Sequence, residues 1–219
     1  MFTGIIESTG TIVRLDPGQG TARLAVSAPA FAHRLRVGDS IAVNGTCLTA
    51  LVMEPPVFYA DLAAETLART TLGQLQPGAV VNLELPTPAG APLGGHVVQG
   101  HVDGRGEIVS FDPVNAAADP DRSDWWLRVR APESARRYMV EKGSIAVDGI
   151  SLTIAAWDGE VAGIAVLPHT RIVTNLCTVR PGDLVNIEAD VMLRLALEQG
   201  RPPVSQFEVS LEYLIANGY

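Results

Sequence analysis

Cysteine is scarce in this chain. Cys47 and Cys177 are the only two in 219 residues. That is too few for a disulfide framework or a zinc site, so both thiols are expected to stay reduced and the compartment to be cytosolic. Basic residues are in the minority, 16 Lys and Arg against 24 Asp and Glu, which argues against a nucleic-acid partner. No apolar stretch runs beyond about ten residues before Asn, Gly, Thr or a charge interrupts it, too short to span a bilayer. The start, Met1-Phe2-Thr3-Gly4-Ile5-Ile6-Glu7, lacks the basic segment and long apolar run of a signal peptide. The phosphate loop, the dinucleotide fingerprint and the serine nucleophile elbow are all missing. Four histidines, His33, His96, His101 and His169, offer no convincing metal spacing. What the chain does have is apolar bulk. Hydrophobic residues make up 47% and charged residues 18%, the composition of a well-buried globular protein.

The chain also contains itself twice. Ser40-Ile41-Ala42-Val43-Asn44-Gly45-Thr46-Cys47-Leu48-Thr49 returns 104 residues later as Ser144-Ile145-Ala146-Val147-Asp148-Gly149-Ile150-Ser151-Leu152-Thr153, with seven of ten positions identical. Pro77-Gly78 returns as Pro181-Gly182 and Val81-Asn82-Leu83-Glu84 as Val185-Asn186-Ile187-Glu188. Thr66 and Thr70 return as Thr170 and Thr174. Near the start of each half the offset is 96, matching Gly4, Gly10, Ile12 and Val13 with Gly100, Gly106, Ile108 and Val109. The change of offset implies an eight-residue insertion between Phe111 and Trp125. Two copies of about ninety residues imply two similar domains with two similar pockets.

Each half is expected to be built of short strands. Thr21 to Ser27 alternates. Ser40–Val43, Thr46–Val52 and Ala79–Leu85 are apolar runs bounded by turn residues. Asn44-Gly45 and Asp148-Gly149, each between two such runs, predict tight hairpins. Many strands in so short a unit suggest a small closed antiparallel barrel. Short helices are expected at 28–35, 132–140 and 64–67. Pro86 to Gly95 is linker-like. Beyond the second copy, Val204, Phe207, Leu211, Leu214 and Ile215 fall at helical spacing. That helix could pack on its own barrel or mediate self-association.

Differences between the copies mark candidates for chemistry. Cys47 stands where the second copy has Ser151, and a thiolate is the better nucleophile. Yet a lone cysteine in an apolar strand is more often a small buried hydrophobe, and the pattern alone favours that reading. His101 corresponds to Ile5, and His169 to Glu65. Histidine is the usual proton shuttle near neutral pH, though a lone one is more often structural. Thr49, Thr66, Thr153 and Thr170 recur at matched positions, where hydroxyls could bind a polyol chain or a heterocycle edge. The plain alternative is that Thr suits half-buried strands.

The ordered set Met1 to Glu7, Asn44 to Thr49, Glu65-Thr66-Leu67, Gly94 to Asp103, Asp148 to Thr153 and Pro168-His169-Thr170 resembles the two-domain riboflavin synthases over residues 1 to 192. The resemblance implies an all-β fold of two tandem homologous six-stranded Greek-key β-barrels plus a C-terminal helix. The units would be 1–96, 97–192 and a tail, 193–219, that assists assembly. It implies dismutation of two 6,7-dimethyl-8-ribityllumazine molecules to riboflavin and 5-amino-6-ribitylaminouracil, with no metal or redox cofactor. It also implies a homotrimer with substrates paired across a subunit boundary, and association with lumazine synthase. Cys47, His101, Ser40 and Phe2 would be catalytic. The first-copy shell would be Gly4, Ile5, Ile6, Cys47, Leu48, Thr49, Asp61, Leu62, Ala63, Ala64, Glu65, Thr66, Gly100, His101 and Val102. The second-copy shell would be Lys142, Ser151, Leu152, Thr153, Ala165, Val166, Leu167, Pro168, His169 and Thr170. Cys177, the Arg171-Ile172-Val173 segment and the tail after Met192 depart from the family pattern. The alternatives are a non-catalytic lumazine or flavin carrier, which retention of Cys47, Ser40 and His101 disfavours, and an unrelated ligand-binding barrel.

Overall fold

A computed structural model describes residues 1–199; the expected helix at 204–215 lies outside them. The first copy forms β1 (Ser8–Pro17), β2 (Ala22–Ser27), β3 (Ser40–Val43), β4 (Thr46–Thr49), β5 (Val52–Glu54), β6 (Val57–Leu62), α1 (Ala64–Arg69) and β7 (Val80–Glu84). The second repeats the order as β8 (Gly104–Pro113), β9 (Trp125–Arg130), α2 (Glu133–Arg136), β10 (Ser144–Val147), β11 (Ile150–Thr153), β12 (Ala156–Trp157), β13 (Val161–Val166), α3 (Pro168–Val173) and β14 (Leu184–Ala189). A final helix, α4, spans Val191–Gln199.

Each copy is a seven-stranded antiparallel sheet, in the orders β4-β3-β7-β1-β2-β6-β5 and β11-β10-β14-β8-β9-β13-β12. The end strands of each order are consecutive in the chain. β4 and β5 are two halves of one bent segment, broken at Ala50-Leu51, where the Leu51 N–H donates to Tyr59 O at 2.8 Å. The Ala155 N–H does the same to Gly163 O at 2.8 Å. Each bent segment therefore joins the two edges of its sheet and closes it, and counting it once gives the expected six-stranded barrel. Closure leaves no long exposed edge.

The interiors follow the alternation of the strands. Leu24, Val26, Ile41, Val43, Phe58, Leu62, Val81 and Leu83 fill the first barrel, and Ile108, Leu127, Val129, Ile145, Val147, Ile164, Val185 and Ile187 the second. The opposite face of the β3–β4 hairpin carries Ser40, Ala42, Cys47 and Thr49, with Ala42 paired to Cys47 and Ser40 to Thr49. Ala42, Ala146, Phe2 and Val98 form a third, small apolar cluster between the barrels, with Cys47 packed on it.

Two expectations need correction. The β1–β2 turn holds residues 18–21 and the β8–β9 turn residues 114–124. Seven residues are therefore inserted there rather than eight. The eighth lies farther on, before β10, because Ala131 rather than Pro132 takes the place of Ala28: Ala28 N donates to Pro56 O and Ala131 N to Glu160 O, at 2.8 and 2.9 Å. The expected helices at 28–35 and 132–140 shrink to a 3-10 turn at Pro29–Phe31 and to α2.

A pseudo-twofold axis relates the barrels, and buried amides hold them together along it. The Asn82 side chain donates to Asp148 O (2.9 Å), and Asn186 in the other barrel donates to Asn44 O (2.8 Å). In the return direction, Asn175 N donates to Asn82 Oδ1 (2.7 Å) and Thr71 N to Asn186 Oδ1 (2.8 Å). The turns touch at Gly45 and Gly149, where a Cβ on either would lie within 3 Å of the other's backbone. Both have positive φ, 72° and 79°, as the hairpin turns require.

Asp148 breaks this symmetry, since its counterpart is Asn44. Its Oδ1 accepts from Asn186 N and its Oδ2 from Asn175 Nδ2, both at 2.7 Å. Burial pushes its carboxyl from the ordinary 3.8 up to about 7, against those two bonds. The folded chain thus keeps a proton that the unfolded chain gives up near 3.8. Stability from this group is complete below that value and is lost as pH rises through about 7. Asp148→Asn should therefore gain stability relative to the parent as pH goes from about 5 to 8. Thermal melts of both proteins across that range test this through the change in their difference, and a constant difference would contradict it.

Candidate functional site

The two chain starts are exchanged reciprocally. Phe2 and Val98 form an antiparallel bridge on the pseudo-twofold, Phe2 N donating to Val98 O (2.7 Å) and Val98 N to Phe2 O (3.1 Å). Beyond it each segment is clamped by an acid from its own copy. Glu84 accepts from Thr3 N, Thr3 Oγ1 and Gly4 N (2.6, 2.8 and 3.0 Å). Glu188 accepts from Gln99 N, Gly100 N and His101 N (2.7, 3.0 and 2.9 Å). Burial raises both carboxyls above their ordinary value, opposed by these donated bonds. Each segment then lies on the other barrel. Cys47 N donates to Gly100 O (2.9 Å) and Ser151 N to Gly4 O (2.8 Å). Glycine is required at both places. A Cβ on Gly100 would sit 2.6 Å from Cys47 Cβ, and one on Gly4 2.6 Å from Ser151 Cβ.

This arrangement regroups the expected shells. Gly4, Ile5 and Ile6 belong with Ser151 in the second-copy site, not with Cys47. The first-copy site is a pocket of about 310 Å³ lined by Thr46, Cys47, Glu65, Thr66, Arg69, Thr70, Gly100, His101 and Val102. The barrel supplies a thiol and one side of α1, with Glu65, Thr66 and Arg69, and the second copy's start supplies an imidazole. Arg69, which the residue pattern did not single out, pairs with Glu65 across one helical turn at 2.8 Å. Its fixed cation and the Thr hydroxyls can hydrogen-bond a polar heterocycle.

The other expected residues sit less directly on the pocket. Leu48, Leu62, Leu152 and Val166 send their side chains into the barrel cores. Phe2 is wholly buried behind Cys47; an apolar ring with no exposed surface packs and moves no proton. Ser40 shares the outer face of the hairpin with Cys47 but does not line the pocket. Asp61 is exposed and engaged by Arg23 at 2.7 Å. Lys142 is exposed at a turn with φ 67°. Around Ser151, Thr170 is half-buried, while Thr153, Ala165, Leu167 and His169 are exposed, with Pro168 opening α3. Cys177 is free and exposed.

Sequence reasoning noted Glu84, Asn82 and their counterparts only as repeats. Buried polar residues recurring in the middle of apolar strands were the available signal. Among the described residues no cluster of three metal-ligating groups occurs, and no helix is long and apolar enough to cross a membrane.

Two barrels, each completed by the other's leading segment, with a small polar pocket beside Cys47, define a tandem small-molecule-binding protein. The lumazine binding domain family matches twice, over residues 3–86 and 99–190. The riboflavin synthase of Mycobacterium bovis is 44% identical over 89% of this chain and 95% of its own length. That of Bacillus subtilis is 35% identical over 100% of both. A solved structure of LumP complexed with 6,7-dimethyl-8-(1'-D-ribityl) lumazine superposes with a TM-score of 0.75 at 25% identity, covering 86% of this chain and 99% of LumP. The chain belongs to the riboflavin synthase family.

Proposed function

We propose that this enzyme catalyses the dismutation of two 6,7-dimethyl-8-ribityllumazine molecules. One gives up a four-carbon unit and the other accepts it, yielding riboflavin and 5-amino-6-ribitylaminouracil. The observation that carries this reading is the pair of homologous, reciprocally completed sites with different reactive groups, Cys47 and His101 in one and Ser151 in the other. Two like sites suit two like substrates. Holding both converts a bimolecular collision into an effectively unimolecular step.

The chemistry needs a proton removed from an acidic ring methyl, addition of the resulting carbanion to the partner ring, and elimination. His101 is the proton carrier and Cys47 the nucleophile in this reading, with Ser40 as a polar neighbour on the same hairpin face. Phe2 supports Cys47 from behind. No redox cofactor is required, because one substrate loses what the other gains. Residues 1–96 and 97–192 are the two substrate-binding units and 193–219 the assembly segment of a cytosolic homotrimer, whose subunits bring substrates together across their boundary. Association with lumazine synthase would shorten the substrate's path.

Likeness to LumP favours a second reading, a non-catalytic lumazine or flavin carrier. Its 25% identity against 44% and 35% for the synthases weighs for the enzyme. Incubating the purified protein with the lumazine alone decides between them. One riboflavin per two lumazines consumed is the expected result. Binding with a fluorescence change and no riboflavin would place the protein among carriers.

A further inference from the structure

The two sites differ in more than Cys47 and Ser151. His96, at the end of the linker, places Nδ1 2.7 Å from Ser151 Oγ. Its backbone N–H donates to Thr3 O at 3.2 Å, which anchors it on the other copy's leading segment. The linker reaches Ser151 only because residue 95 is glycine. A Cβ there would lie 2.2 Å from Thr3 O and 3.0 Å from Ser151 Oγ. Burial pushes the imidazole below its ordinary value, with Asp190 opposing, so near neutral pH it carries one donor and one acceptor nitrogen. Nε2 is buried without a partner, which leaves Ser151 as the residue His96 engages through its ring.

Among the described residues that line the Cys47 pocket, none repeats the His96–Ser151 pair. Conversely His101, which lines the Cys47 pocket, is Ile5 in the second. The imidazoles beside Cys47 and Ser151, His101 and His96, thus come from non-equivalent positions. One faces the cavity beside a thiol, and the other is withdrawn behind a hydroxyl.

We propose that His96 is a positioning residue of the second-copy site, holding the Ser151 hydroxyl in the orientation that hydrogen-bonds the lumazine bound there. The proposal rests on the lumazine reading above. It makes the second site an orienting site, its serine fixed in place, while the first carries the reactive groups.

The test compares the parent with His96→Asn, His96→Leu, Ser151→Ala and the Leu/Ala double variant. Asparagine places an amide where Nδ1 lies, whereas leucine fills the space without a partner. One neutral hydrogen bond corresponds to roughly a two- to tenfold effect. His96→Leu and Ser151→Ala should each raise KM for the lumazine about fivefold with a smaller change in kcat. The double variant should be no worse than Ser151→Ala alone, and His96→Asn should stay within about twofold of the parent. An unchanged His96→Leu variant, fully additive losses, or an asparagine variant as impaired as the leucine one would each overturn the proposal. The last would leave His96 a packing residue. Lumazine fluorescence titrations run in parallel on the same proteins. A parent that binds without turnover defeats the enzyme reading, and the same comparison of variants in Kd still decides the role of His96.

Discussion

Cys47→Ala should lower riboflavin formation by about 100-fold or more, the scale on which positioned nucleophiles and proton carriers contribute, while the melting temperature moves little. Cys47 is half-buried on the outer face of the β3–β4 hairpin, outside the first barrel's core. Truncation there trims contacts with the small Phe2 cluster but opens no void in either barrel core. Cys47→Ser is the more informative change, because it gives the first site the residue the second already has. Substantial retained activity would mean that a hydrogen-bonding group suffices at this position; collapse to the level of the alanine variant would mean that thiol chemistry is needed. His101→Gln belongs in the same series. Its main-chain amide is held by Glu188 whatever the side chain, so the substitution removes an imidazole without releasing the segment. Near-native turnover in all three variants would remove Cys47 and His101 from the chemistry.

A comparably large effect on stability is expected from Gly45→Ala. The new Cβ would lie 2.6 Å from Gly149 N and 2.7 Å from Gly149 Cα, backbone atoms that cannot rotate away. Overpacking together with a positive φ should cost about 3 kcal/mol, or roughly 10 °C in melting temperature for a chain of this size. Gly38→Ala provides the control. Its φ is 91°, but its Cβ would meet nothing within 4 Å, so backbone strain alone should cost about 1 kcal/mol. Equal losses at the two sites would mean that the turn contact between the barrels does not resist separation.

Local signals carried most of the architecture. Asn44-Gly45 and Asp148-Gly149 dictate their hairpins through a backbone conformation few residues adopt, and β3 and β10 follow the apolar runs residue for residue. The run from Thr46 to Val52 reads as one strand because hydrophobicity does not break at Ala50-Leu51. The bend there is imposed by barrel closure, a property of the whole sheet. The inserted residues summed to the right total but were placed together, because an offset counts gaps without locating each one. Most of what was illegible concerns partnership across the repeat. Periodicity identifies Gly4 and Gly100 as equivalents but cannot say that each lies on the opposite barrel. For the same reason Glu84, Asn82 and their counterparts looked like repeats without a task until the two copies were seen facing one another.

The exchange of leading segments has a bearing on how such a chain could arise. A single copy carrying its own first six residues would leave its pocket open on one side. It would find the missing wall on a second, identical molecule related by a true dyad. That ancestor would be condemned to equality, since any residue placed in one pocket would appear in both. Covalent fusion of two genes releases the constraint. It lets one half keep a thiol while the other keeps a hydroxyl, and it lets the joining peptide itself, through His96, place a side chain beside Ser151. In this chain the linker is thus part of the chemistry of difference as well as a tether.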